Sequence, residues 1–343
     1  MIGIIGDLHF KESLGYADCV ADRRQTEKEQ VLSFIVDTLA DCDTVVLVGD
    51  QLNARNNSSA TIKEFVGFIE RFKEKKLYVI AGNHEKLGDG RSAIDFLGEI
   101  KDKHWRTITN EIVKVKNLVF CPYFARTELG TDSNEDASSL LLKKLQAISE
   151  HGDNVLFVHH AIGDTVTHGG TPTTIFNEVV LHRKALEKIF KVVVGGHIHH
   201  PQAVGQTIVT GSVFANEAGD TDKYIWKIDE KTFKVEQIKL PGRSIYGLTD
   251  PSDRDLAGIP KRSIVKAIIT KKRSKEALDE LKEKLKAFDG YVLVEQIPHE
   301  RKKLHLDGDK NILEFTPEEL LAAYAKERNV DLKKLLAGFE LIK

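Results

Sequence analysis

Short apolar runs, several of them stopping at a polar cluster, constrain this chain more than any other feature. They occupy residues 2–5, 44–48, 77–81, 117–121, 155–158 and 192–194. Runs this short and this rich in β-branched residues read as buried strands. Between them lie stretches of helical period. Residues 26–40 place Val31, Phe34, Ile35 and Leu39 on one face, and residues 61–72 repeat the pattern. Alternation of this kind predicts an α/β class, with central β-sheets layered between flanking helices.

After the run at 192–194 the texture changes. Residues 207–210, 223–228 and 234–238 read as short strands spaced by turns, closer to a meander. The stretch 241–262, with Pro241, Pro251, Pro260 and an Asp-Pro-Ser-Asp run, reads as a linker. Residues 263–270, 275–288 and 291–296 then suggest strand, helix, strand, a small α/β cap. Helices are expected over 317–328 and 331–339, the first opened by Thr316 and Glu319 at capping-box spacing. The expected organisation is a main domain over 1–240, the linker over 241–262, the cap over 263–311 and a helical docking segment over 312–343.

The polar clusters carry chemistry. "GDLHF" holds Asp7 and His9, "VGDQLN" holds Asp50, and "AGNHEK" holds Asn83 and His84. "LFVHHA" adds His159 and His160, and "VVGGHIHH" adds His197, His199 and His200. Loops at the carboxyl ends of strands in an α/β sheet gather at one edge, so these residues are expected to converge. Carboxylates, imidazoles and an amide oxygen, without a thiolate, suit Mn, Fe, Zn or Co. Asp7, His9, Asp50, Asn83, His159, His197 and His199 exceed what one tetrahedral ion uses and imply two ions sharing a carboxylate. Two ions ~4 Å apart clamp the attacking and leaving oxygens of an in-line phosphoryl displacement. The expected chemistry is phosphoester hydrolysis.

A lone Asp or His at a strand end is more often a turn or cap residue; the ordered series is what carries the reading. His160 and His200 are expected to orient partners rather than ligate. The isolated His104, His151, His182, His299 and His305 are expected at the surface, and His168 has no assigned role.

Net charge decides what else the chain can bind. At −2 over 343 residues there is no global basic field for nucleic acid. DNA contacts must come from local cations: residues 271–275 and 301–303, and Arg55 and Arg126 near the expected active edge. Runs of charge are usually only solvated faces. Cys19, Cys42 and Cys121 lack paired spacing, which suits reduced thiols. No apolar run approaches the ~20 residues of a membrane span, and no signal region is seen. The expectation is a cytoplasmic protein with no membrane association.

The ordered set GDLH, VGD, GNHE, LFVH and GGHIH resembles the calcineurin-like metallophosphoesterase family over residues 1 to about 230. The resemblance implies one metal held by Asp7, His9, Asp50 and His199, and a second held by Asp50, Asn83, His159 and His197, with Mn2+ expected at both. His84 would face the phosphate as general acid or transition-state stabiliser.

Within the family the chain looks like the SbcD-like recombination nucleases, phage versions included. The run after GGHIH with Glu217, the "CPYF" stretch, and a cap followed by two helices carry that likeness. It implies a DNA nuclease of recombination, repair or replication, partnered by an SMC-like ABC ATPase (SbcC-like), with a homodimer left open. Asn53 stands where many such nucleases have a His that is thought to contact substrate. Val213 and Glu85 replace a common Pro and Asp. A stand-alone small-molecule or cyclic-nucleotide phosphoesterase and a non-catalytic scaffold are the alternatives. Seven donors at strand ends argue against the scaffold.

Overall fold

Side chains along a strand point alternately to opposite faces, and strand β1 (Ile2–Ile5) uses this to join two cores. In the computed structural model, which describes residues 1–88, 90–100, 103–149, 154–167, 169–296, 316–328 and 330–340, Ile2 and Ile4 pack with Val46, Val48, Phe120, Phe157 and Val194. Ile5 packs on the other side with Val31, Ile35, Val45, Leu47 and Phe65. The first core lies between two sheets, and the second lies under helices.

The first sheet contains β1, β2 (Thr44–Val48), β3 (Lys76–Ile80) and β4 (Trp105–Ile108), all parallel. The second is built from β5 (Val113–Val115), β6 (Leu118–Cys121), β7 (Val155–Val158), β10 (Val192–Gly195), β11 (Gln202–Val204) and β12 (Thr207–Val209). A two-stranded ribbon, β8 (Ala161–Ile162) with β9 (Val180–Leu181), stands beside it. Helices α1 (Gln25–Thr38) and α2 (Ser59–Glu70) cover the first sheet. A short α3 (Phe96–Glu99) precedes β4. The outer face of the second sheet is covered by α4 (Asn134–Ile148) and α5 (Arg183–Ile189), through Leu141, Leu145, Leu186 and Phe190. The result is four layers, helix, sheet, sheet, helix, as the strand and helix alternation predicts.

Two expectations need correction. Residues 207–238 do not form one meander. Strand β12 pairs in parallel with β10 in the second sheet. The chain then crosses, with Val213 N–H donating to the Asp7 carbonyl at 2.9 Å. Strands β13 (Tyr224–Ile228) and β14 (Val235–Lys239) extend the first sheet beside β1. Nor is 241–262 irregular: it contains β15 (Ser244–Thr249) and α6 (Asp253–Ala257), the latter opened by a Ser252–Asp255 capping box. With β16 (Ser263–Ile269), α7 (Lys275–Leu285) and β17 (Gly290–Glu295) they make a parallel three-stranded sheet backed by Leu281 and Leu285.

A charged network fastens this small sheet to the main body. Fully buried Arg24 makes two bonds to Glu27, at 2.9 and 2.7 Å, and reaches the Ala215 carbonyl at 2.8 Å. Arg243, entering β15, bonds Glu27 at 2.8 Å and Asp289 at 2.8 Å. Met1–Glu295 form one compact unit and Gln296–Lys343 a second. In the second, α8 (Pro317–Arg328) and α9 (Leu332–Glu340) pack on each other. The expected capping box is present: Glu319 N–H donates to Thr316 Oγ1 at 3.2 Å, and Thr316 N–H donates to Glu319 Oε2 at 2.7 Å. Residues 301–303, His151, His168, His299 and His305 lie outside the described residues. Among those described, no helix is long and apolar enough to cross a membrane.

Candidate metal centre

Five strands that end at the shared edge, β1, β2, β3, β7 and β10, each hand over to a loop carrying one or two of the predicted donors. The first sheet supplies Asp7 and His9 after β1, Asp50 after β2 and Asn83 after β3; the second supplies His159 after β7 and His197 and His199 after β10. Two groups converge. His9 Nε2 lies 2.9 Å from His199 Nε2, and His199 Nε2 lies 3.7 Å from Asp7 Oδ2. Asn83 Oδ1 lies 3.1 Å from His159 Nε2 and 2.9 Å from His197 Nδ1. Asp50 Oδ2 stands between them, 3.8 Å from His9 Nε2 and 3.3 Å from His159 Nε2. Asp7, His9 and His199 can together hold a metal ion, as can Asp50, His159 and His197, and His9, Asp50 and His84 form a third such group.

The backbone is bent to achieve this. His9, Asp50 and His197 have φ of 45°, 49° and 77°, a left-handed conformation uncommon outside glycine, though less so for Asp and His, and found at functional sites. Gly49, at φ 92°, has no room for a Cβ, which would lie 2.0 Å from His159 Nδ1. A Cβ on Gly196 would meet the Val48 carbonyl at 2.3 Å. The glycines of VGD and GGH are therefore required by close approach.

Neighbouring groups fix which nitrogen of each ring is free. A carbonyl only accepts, so His159 Nδ1–H donates to Val48 O at 2.6 Å, and Nε2 is the nitrogen that faces the centre. His84 Nδ1–H donates to Asn53 O at 2.7 Å, and His84 N–H donates to Asp50 Oδ1 at 2.9 Å. The His197 N–H donates to Asp7 Oδ2 at 3.0 Å.

Burial sets the charges. It lowers His9 to a pKa of about 3, and lowers His199 to about 4 with Lys223 adding to the effect, so both rings are lone-pair donors at neutral pH. It raises Asp7 to about 7, reinforced by Asp50 and opposed by His159. His159 is lifted to about 10: burial opposes, and the Asp50 carboxylate overcomes it. Asp50 is correspondingly held below the usual carboxylate range, against its burial, chiefly by His159. Unprotonated imidazoles facing each other at 2.9 Å beside buried carboxylates are a set that a divalent cation satisfies, and the donor chemistry suits a borderline-hard ion.

Several contributors were not legible in the sequence. Glu85 is fully buried, and its two oxygens accept from Leu52 N–H and Gly82 N–H, each at 2.7 Å, clamping the VGD loop to the GNHE loop. Burial, with Asp50, pushes its carboxyl up to about 8, while those two donors pull it down. Lys223 Nζ donates to the His199 carbonyl at 3.0 Å and to Asp220 Oδ1 at 2.8 Å. Glu178 accepts from His197 Nε2–H at 2.9 and 3.0 Å. Only Glu85 lies inside a motif.

His160 is not among the converging groups. Its Nε2 accepts from Phe124 N–H at 3.1 Å and its ring stacks on Tyr123, as expected of an orienting neighbour. His84 is 40% exposed at the rim. Asn53 meets it through a backbone carbonyl rather than its side chain. Arg55 is exposed, and Arg126 lines a groove of about 260 Å³ with Tyr123, Asn177 and Glu178. A second groove, of about 350 Å³, runs past His197, His199, His200, Phe176 and Glu217. A cleft of equal volume lined by Lys86, Asn110 and Phe124 contains none of the donors.

A layered α/β fold with buried Asp and His side chains converging from strand ends defines a metal-dependent phosphoester hydrolase. The calcineurin-like phosphoesterase family matches residues 1–201, more than half of the chain, and the protein belongs to that family. No curated relative matches the sequence. Among solved structures, a novel archaeal phosphodiesterase is 14% identical, with a TM-score of 0.34, covering 70% of this chain and 99% of its own. A putative 5'-nucleotidase from Staphylococcus aureus is 16% identical, with a TM-score of 0.40; the match covers 82% of this chain and 57% of that one.

Proposed function

We propose that this phosphoesterase is a DNA nuclease that hydrolyses phosphodiester bonds at a centre of two divalent ions, with Mn2+ as the native metal. The carrying observation is the convergence of donors from both sheets around Asp50, with His84 exposed at the rim. One ion is assigned to Asp7, His9, Asp50 and His199, the other to Asp50, Asn83, His159 and His197. When bound, such ions polarise phosphoryl oxygens and acidify water.

The chain's own residues do the rest. Asp50 holds the His84 backbone N–H, and the Asn53 carbonyl holds Nδ1–H, so the His84 ring is aimed with Nε2 toward the site. From there the doubly protonated ring could give its Nε2 proton to the leaving oxygen or hydrogen-bond the developing charge. Arg55 and Arg126, both exposed, are available to phosphates flanking the scissile one. Lys271, Lys272 and Lys275 are exposed on the small domain and offer further contacts. The second unit, with exposed Tyr324 and Val330, is assigned to docking an SMC-like ATPase.

Hydrolysis of end-labelled duplex and single-stranded DNA, compared with bis-p-nitrophenyl phosphate, in Mn2+, Mg2+ and EDTA tests the reading. Cleavage of DNA in Mn2+, weak cleavage in Mg2+ and none in EDTA is expected, since Mg2+ prefers all-oxygen octahedra. Hydrolysis of the small ester without DNA cleavage would replace the nuclease by a small-molecule phosphoesterase.

A further inference from the structure

Glu178 belongs to none of the strand-end motifs, yet both of its carboxylate oxygens lie within 3.0 Å of His197 Nε2. We propose that Glu178 is the positioning residue of His197, fixing its tautomer and ring angle so that Nδ1 is presented to the ion also assigned to Asp50, Asn83 and His159. The inference rests on the metal-centre reading above.

A carboxylate here can only accept, so the His197 ring proton lies on Nε2 and the lone pair on Nδ1. That nitrogen points inward, 2.9 Å from Asn83 Oδ1, which in turn lies 3.1 Å from His159 Nε2. Once His159 Nε2 has given up its proton, these three atoms form a set of acceptors that a cation would satisfy. A carboxylate behind a ligating imidazole also raises its basicity, and its loss typically weakens metal binding 10–100-fold.

The carboxylate is itself held in place. Glu178 lies between a short 3-10 turn, Thr173–Ile175, and strand β9. Thr173 Oγ1 donates to the Ile162 carbonyl at 2.7 Å, and Ser138 Oγ donates to the Val180 carbonyl at 2.7 Å. Asn177 Oδ1 accepts from Asn134 Nδ2 at 3.1 Å. The loop therefore brings Glu178 to His197 from outside the sheet, and the groove past Arg126 and the groove past His199 share Glu178 as a wall.

The test is calorimetric titration of the full chain, stripped of metal, with Mn2+. Wild type is expected to bind two ions. Glu178→Ala should weaken one of them 10–100-fold and leave the other unchanged, and Glu178→Gln, which keeps an acceptor for Nε2–H, should recover part of the loss. In a His197→Ala background, Glu178→Ala should have no further effect on either ion. Circular dichroism melts confirm that each variant is folded. Two ions in wild type with unchanged affinity in Glu178→Ala would overturn the positioning role alone, as would equal weakening of both ions by the Ala and Gln variants. A wild-type chain that binds no ion would overturn the metal-centre reading and the Glu178 role together.

Discussion

Replacing Glu85 with Ala would remove one side chain and open two gaps. Leu52 N–H and Gly82 N–H both donate to it at 2.7 Å, in a place with no solvent exposure. A buried donor left without a partner costs about 1–3 kcal/mol, so the pair costs about 2–6 kcal/mol. That is a large share of the ~5–15 kcal/mol that holds a domain folded. Glu85→Gln separates the two bonds: its amide accepts from one N–H and sets its own NH2 against the other, for a loss of about 1–3 kcal/mol. Urea unfolding in EDTA measures both, followed by the fluorescence of buried Trp105 and Trp226, with the slope checked for constancy. Because the clamp joins the loops of Asp50 and Asn83, Mn2+ affinity should fall in the same order. An Ala variant within about 0.5 kcal/mol of wild type would refute the reasoning, since surface substitutions already reach that size.

His84→Gln should keep Mn2+ binding and DNA affinity while turnover falls by ~100-fold or more, the scale of a general acid; loss of an ion on calorimetry would make His84 a ligand instead. Glu27 gives a pH dependence. Burial alone would raise its pKa, but Arg24 and Arg243 together hold it below the ordinary 4.5. Its contribution is therefore fully present above about pH 4.5 and lost as pH falls through the folded value. Glu27→Gln should flatten the fall of the urea midpoint from pH 5 toward pH 3, and an unchanged slope would remove Glu27 from the account. Deleting residues 312–343 should leave Mn2+-dependent hydrolysis intact and abolish co-purification with an SMC-like ATPase; retained co-purification would place the docking surface elsewhere.

How much of this was legible follows from what each residue depends on. The strands β1, β2 and β7 were readable because a buried strand needs a short apolar run, whatever its partner. The candidate donors were readable because each sits one to four residues beyond the end of such a strand. Helix α4 was missed although its start is signalled by the Ser133 cap and the acidic Glu135 and Asp136 in its first turn. Strand β15 was hidden by Gly247 and by prolines on either side, and only its pairing with β16 makes it a strand. The placement of β12 depended on which sheet it would join, a choice made by the crossing segment at Val213 rather than by its own residues. Glu178 and Lys223 touch His197 and His199 from 19 and 24 positions away. No spacing rule reaches them, because the loops that carry them are set by the folded body.

The division of the candidate donors between the sheets, four residues from one and three from the other, has a mechanical side. The two sheets meet over an apolar core in which Tyr78, Phe120 and Phe157 stack in series, with centroids 4.5 and 5.4 Å apart. A pair of ions at the carboxyl edge would act as a rivet through both plates, while Tyr78 stacked on Phe120 is an aromatic contact that crosses the gap between them. Close-packed interiors transmit strain rather than absorb it. A slight slide of one plate over the other would therefore reappear at the edge as a change in the distance between the two halves of the centre. On this view the choice of metal is written partly in side chains that never touch it.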